Sequence, residues 1–151
     1  MQARVKWLDG MAFVGETETG HAVVMDGAPE FGGRNLGPRP MEMLLLGLGG
    51  CTGFDVVAIL KKARQPVLDC EVLMEAVRSE KVPKVFTEIA VHFRVYGNGL
   101  AEKQVARAVE LSATRYCSAS MMLGASARIT HDFEIIEGPA PRAPTQTTGA
   151  T

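Results

Sequence analysis

With 151 residues the chain has the size of one domain, and 46% hydrophobic against 22% charged residues give it a core that needs no disulfide staples. Lys and Arg number 16 against 17 Asp and Glu, a net charge of −1, which lacks the clustered positive field that nucleic-acid binding requires. Three cysteines, an odd count, do not make a fully paired secreted framework, so the question passes to which thiols react.

The N-terminus, MQARVKWLDG, is charged and has no apolar signal-peptide core, which predicts a cytoplasmic protein. Ala3 to Leu8 and Met11 to Glu16 read as two strands joined at Asp9-Gly10, a dipeptide that tolerates the positive φ of a tight hairpin. His21 to Met25 reads as a third strand, closed by Asp26-Gly27. A polar loop, FGGRNLGPRP, follows from Phe31 to Pro40 and carries Arg34 and Arg39. Pro40 then opens a helix, as its fixed φ favours.

From Met41 to Leu60 nearly every residue is apolar or glycine, with Glu42 and Asp55 the only charges, the pattern of a helix buried on all sides. Its length approaches a bilayer span, but Asp55 and the glycines lower its hydrophobicity, so no membrane partner is expected. Gly47, Gly49, Gly50 and Gly53 each cost about 1 kcal/mol of helix propensity against Ala, which predicts close approach of another helix or backbone. Lys61, Lys62 and Arg64 suit the C-terminal dipole, and Pro66 prevents continuation.

Val67 to Arg78 alternates, with Leu68, Cys70, Val72, Met74 and Ala76 on one face. Val85 to Tyr96 repeats the pattern, with Val85, Thr87, Ile89, Val91, Phe93 and Val95 inward, and Gly97-Asn98-Gly99 ends it. Leu100 to Tyr116 is helical, Val105, Ala108, Val109 and Ser112 forming its apolar side. Cys117 to Gly124 predicts a short second helix, and Ala127 to Ile136 a closing strand with His131 on the apolar side. Residues 1–138 thus form one domain, and 139–151, rich in Pro and Thr, are expected to be disordered. The order of elements predicts an α+β fold with one mostly antiparallel sheet flanked by the buried helix. A helix apolar all round also needs cover on its far side, which a second copy supplies, so a homodimer is expected.

Of the groups that could carry chemistry, Cys51 reads either as a small hydrophobe in a packed helix or as a reactive thiol. Asp55 lies one turn away, and a carboxylate there opposes the thiolate, so reactivity needs a cation: Arg34 or Arg39. Cys117 is either a buried bend residue or a thiol biased towards thiolate by a helix N-terminus. Cys70, on the apolar side of a strand, reads as structural. His21, His92 and His131 lack metal-ligand spacing, and the cysteines lack a paired ligand motif, so neither metal nor cofactor is expected.

The run PMEMLLLGLGGCTGFDV, with YCSASMML far downstream, resembles the OsmC/Ohr superfamily, and its Gly-Gly-Cys-Thr-Gly wording is closest to the YhfA-like branch. The resemblance covers Arg4 to Gly138. It implies two subunits interlocked into a homodimer with the long helices central, and a thiol-dependent peroxidase that reduces organic hydroperoxides. In that reading Cys51 is the peroxidatic cysteine, Cys117 the resolving cysteine that forms a disulfide with it, and Arg34 the thiolate-stabilising arginine. A dithiol, lipoyl-type in the Ohr branch, closes the cycle. The family's glutamate directly after the helix-opening proline is replaced by Met41, with the acid following at Glu42, about 100° further round the helix. Asp55 is the candidate to take over as the arginine's partner. A non-peroxidatic relative that binds a small apolar or thiol ligand at the interface pocket is the alternative.

Overall fold

A computed structural model of the chain describes residues 1–141; the expected disordered tail lies outside them from residue 142 onward. The chain forms two compact units, Met1–Gly47 and Leu48 onward, and α1 (Pro40–Lys62) runs through the boundary.

The N-terminal unit is a meander of β1 (Ala3–Asp9), β2 (Ala12–Thr17) and β3 (Ala22–Met25), all antiparallel. Its first turn works as the sequence predicts: Gly10 takes φ +54°, and its carbonyl accepts from the Trp7 indole N–H at 2.9 Å. After β3 a short 3₁₀ turn, Pro29–Phe31, leads into the loop before α1.

The C-terminal unit holds a second sheet of β4 (Val67–Arg78), β5 (Phe86–Gly97) and β6 (Arg128–Glu137), in the order β4-β5-β6. The single sheet expected from the order of elements is therefore two three-stranded sheets, because β1 to β3 are joined by short turns and pair among themselves. β4 and β5 are antiparallel, but β6 pairs with β5 in parallel, Phe93 opposite Phe133. The reason lies between them: α2 (Glu102–Leu111) and α3 (Ser118–Leu123) make the long crossover that a parallel neighbour requires.

Within this unit Leu48, Thr52, Val56 and Leu60 recur every fourth residue of α1 and are fully buried. Gly49 and Gly53 face β4; a Cβ on Gly49 would lie 2.5 Å from Met74 Cε, and one on Gly53 3.0 Å from Val72 Cγ2. Side chains of a strand, rather than another helix, account for these two glycines. Gly47 and Gly50 meet nothing within 4 Å among the described residues. Nor is α1 buried all round in the single chain: Leu46 is 55% and Phe54 75% exposed.

Ile89, Val91, Phe93 and Val95 fill the inner face of β5. Two strand assignments slip. Leu68 is exposed because the β4 register shifts between Val67 and Asp69. Val85 and Thr87 face outward, and Phe86 is buried, because a second shift at Val77/Arg78 reverses the alternation at that end.

The outer face carries a charged ladder. His92 Nδ1 lies 2.7 Å from Asp132 and Nε2 3.3 Å from Glu134, while Arg94 Nε donates to Glu134 at 2.7 Å. Asp132, then Glu134, raise the His92 pKa above its ordinary value. The stabilisation is thus full below the unfolded value and is lost as pH rises through the raised folded one. His92→Gln should lower stability at pH 5 by no more than about 1 kcal/mol, with the gap closing in alkali. Denaturant titrations at several pH values check it; a gap that widens with pH would overturn the assignment.

Candidate functional site

Cys51 and Asp55, four residues apart, share one face of α1. Cys117 reaches the same place by a different route. α2 ends not in an ordinary cap but in a wider π-type turn, Ser112–Tyr116, closed by the Cys117 N–H donating to the Ser112 carbonyl at 3.0 Å. Such turns recur at functional sites because they re-aim the residue that follows. Here that residue is Cys117, which caps α3: its Sγ accepts the Ser120 N–H at 3.4 Å.

The Cys51 Sγ, the Cys117 Sγ and a carboxylate oxygen of Asp55 all lie within 4.8 Å of one another, and both thiols are free. Cys51 and Asp55 are half-buried, and Cys117 is fully buried. The two thiols that the resemblance pairs, distant in sequence, are neighbours in the fold.

Ser112 joins these parts. Its Oγ lies 2.8 Å from Thr52 Oγ1 and can donate to Asp55 Oδ2 at 3.3 Å. Ser112 and Thr52 are both fully buried. The sequence places Ser112 on the apolar side of a helix, and a buried hydroxyl needs a partner; that was the available signal for its role.

Of the two readings of Cys117, the electrostatics favour the buried one. Burial pushes its thiol pKa up, and the neighbouring Cys51 sulfur pushes the same way, outweighing the lowering by the Ser120 side chain and N–H. A one-and-a-half-turn helix does not offset that desolvation, so Cys117 is held as a thiol. Cys70, on the inner face of β4, is pushed up to about 11 by burial and by the charges of Asp69 and Glu71, in keeping with a structural role. On β6, burial lowers the His131 pKa, and its Nε2 has no hydrogen-bond partner among the described residues; it stacks on Phe93.

In the N-terminal unit Arg34 pairs with Asp9, Nη1 to Oδ2 at 3.2 Å. Arg39, the other candidate cation, is taken by Glu42, which accepts from its backbone N–H at 2.9 Å and its guanidinium at 3.0 Å. The Arg39 N–H, and then its side chain, hold the Glu42 carboxyl below its usual range. The one-residue shift from Met41 to Glu42 thus gives the acid an arginine, but Arg39 rather than Arg34.

Asp26, read from sequence only as a turn residue, organises the loop that carries Arg34. Its buried carboxylate accepts the backbone N–H groups of Gly27, Arg34 and Leu36 at 2.7, 2.9 and 3.2 Å. The N–H groups of Arg34 and Leu36 lower its pKa most. Asp26 therefore stabilises above the unfolded carboxylate value, and the contribution is lost as pH falls through the folded one. Asp26→Asn should lower the melting temperature at pH 7, and the difference should vanish in strong acid. Thermal melts across pH measure it; equal melting at pH 7 would show that the loop is held by other contacts.

The family model described as OsmC-like protein matches residues 32–132. Protein YhfA of Escherichia coli K12 is 48% identical over 136 residues, which span 90% of this chain and 98% of that protein. A hypothetical protein from Aquifex aeolicus VF5 is 31% identical, with TM-score 0.80 and coverage of 91% and 96%. An organic hydroperoxide resistance protein OsmC from Legionella pneumophila, 16% identical with TM-score 0.67 over 89% and 97% of the chains, shares the fold.

Proposed function

The chain belongs to the OsmC-like family, and on that premise we propose that it is a thiol-dependent peroxidase that reduces organic hydroperoxides with Cys51 and Cys117. The observation that carries the reading is the cluster of two free thiols and a carboxylate within 4.8 Å. Some neighbours of the same fold are organic hydroperoxide resistance proteins. A soluble OsmC-like fold is what the family implies, and our reading of the location is cytoplasmic.

Burial divides the labour. Half-buried Cys51 is the thiol a peroxide can reach, and its thiolate attacks the terminal oxygen. The S–O bond forms as the O–O bond breaks, and the alkoxide leaves as the alcohol after taking a proton. Cys117 then attacks the sulfur of the Cys51 sulfenic acid. The S–S bond forms, hydroxide leaves as water, and the proton of Cys117 must go to an acceptor. Asp55 is the carboxylate beside it. In sum, two thiols and one hydroperoxide give a disulfide, an alcohol and water, and a dithiol of lipoyl type returns the two thiols. Arg34 enters as the cation that favours the Cys51 thiolate, a role that rests on the resemblance to the family.

The test is to add one equivalent of an organic hydroperoxide to the reduced protein and map its thiols by mass spectrometry. A rapid Cys51–Cys117 disulfide with Cys70 untouched is expected. Slow, scattered oxidation of all three would sink the peroxidase in favour of a relative that binds a small apolar or thiol ligand.

The exposed apolar residues of α1, Leu44, Leu46 and Phe54, support a second copy as cover for that helix. Phe54→Asp should convert a dimer into a monomer or a weakly associating species. Sedimentation of both proteins decides it; a wild-type monomer at micromolar concentration ends the idea.

A further inference from the structure

We infer that the reduced site is also a metal site: Cys51, Asp55 and Cys117 together bind one soft divalent cation of the zinc type. This goes beyond the peroxidase reading and does not depend on it, because it needs only the three donors.

The argument starts from donor chemistry. Two thiolates with one carboxylate are a ligand set that favours Zn²⁺ or Cd²⁺ over hard cations such as Mg²⁺ or Ca²⁺. With metal–sulfur bonds of about 2.3 Å and metal–oxygen bonds of about 2.0–2.2 Å, donors on a tetrahedral ion sit roughly 3.5–4 Å apart. The three donor atoms already lie within 4.8 Å of one another, so changes in side-chain torsion close the remaining distance. Three protein donors leave the fourth position for water, as in open zinc sites. The carboxylate is held in place from behind, since Ser112 Oγ donates to Asp55 Oδ2 at 3.3 Å and is itself paired with Thr52.

Sequence spacing does not reveal such a site. Cys51 and Asp55 form a one-turn pair on a helix, a common spacing, and the third donor is supplied from the junction between the π-type turn and α3. The expectation of no zinc followed from the absence of a paired cysteine motif, which is a statement about sequence neighbours only.

Binding replaces the two thiol protons with one metal ion, so affinity falls as pH falls. The same ion occupies both sulfurs that a peroxide and a resolving thiol would use. If the peroxidase reading holds, two-electron oxidation of the metal-bound dithiolate by a hydroperoxide, with uptake of two protons, yields the disulfide, the alcohol and water and releases the ion. The metal-loaded protein should therefore react more slowly than the free dithiol.

The experiment is a titration of the reduced, metal-free protein with Cd²⁺, followed by the thiolate-to-metal charge-transfer absorption. One equivalent per chain should saturate the band. Cys51→Ser and Cys117→Ser should abolish it, Asp55→Ala should weaken binding by about tenfold or more, and Cys70→Ser should leave it unchanged. A band that survives Cys117→Ser, or that is lost in Cys70→Ser, overturns the site, as does no band at stoichiometric Cd²⁺. Because Cys117 is fully buried and its variant could misfold, the wild type supplies a second readout. One equivalent of Cd²⁺ should protect Cys51 from alkylation, and unaltered alkylation overturns the inference. A saturating band together with failure to form the disulfide would retain the metal site and reject the peroxidase.

Discussion

Cys51→Ser should reduce hydroperoxide consumption to the uncatalysed background, whereas Cys117→Ser should still consume one equivalent and stop at the sulfenic acid. The asymmetry comes from burial. Cys117 is fully buried and held as a thiol, so it neither meets the peroxide nor offers the thiolate that attacks it. Cys51 is half-buried on the same cluster and meets it first. In Cys117→Ser the remaining thiol, Cys70, is held protonated by burial, its pKa pushed up to about 11, so it does not take over the condensation. Rapid-quench kinetics with a sulfenic-acid trap read both steps. A Cys51→Ser protein that still consumes hydroperoxide at the wild-type rate would reverse the assignment and make Cys117 the attacking thiol.

What the sequence made legible was periodic or covalent in kind. The three N-terminal strands, the long helix and β4 to β6 all follow from alternation, apolar runs and turn residues. Where the reading slipped, the cause was an event that leaves no periodic trace. Two register shifts turned Leu68, Val85 and Thr87 outward. The parallel pairing of β6 was implied by the length of the crossover before it, but alternation alone carries no direction. At the site, the pairing of Cys51 with Cys117 came from the resemblance and not from their own surroundings, because what brings them together is the π-type turn that ends α2. Asp26 and Ser112 went unnoticed because a turn aspartate and a serine in an apolar stripe both have ordinary explanations. Their roles emerge only from what they accept or donate: Asp26 takes three loop N–H groups, and Ser112 bridges Thr52 and Asp55.

Asp55→Asn separates two roles for the carboxylate. As the partner of an arginine that stabilises the Cys51 thiolate, Asp55 would serve the first step, and its loss would slow sulfenic-acid formation. As the acceptor of the Cys117 proton it serves only the second. The geometry favours the second role: the carboxylate lies within 4.8 Å of the Cys117 sulfur, whose proton burial retains. Asparagine keeps the shape and can still accept from Ser112, so the fold is retained, but it takes no proton. Sulfenic-acid formation should then proceed at close to the wild-type rate, while disulfide condensation slows by about 10²-fold, the scale of a lost general base. Raising the pH should narrow the defect, because hydroxide ionises Cys117 without help. Single-turnover measurements from pH 6 to 10 distinguish the roles. A slowed first step returns Asp55 to the arginine, and a slowed second step with no recovery in alkali leaves it a purely structural group.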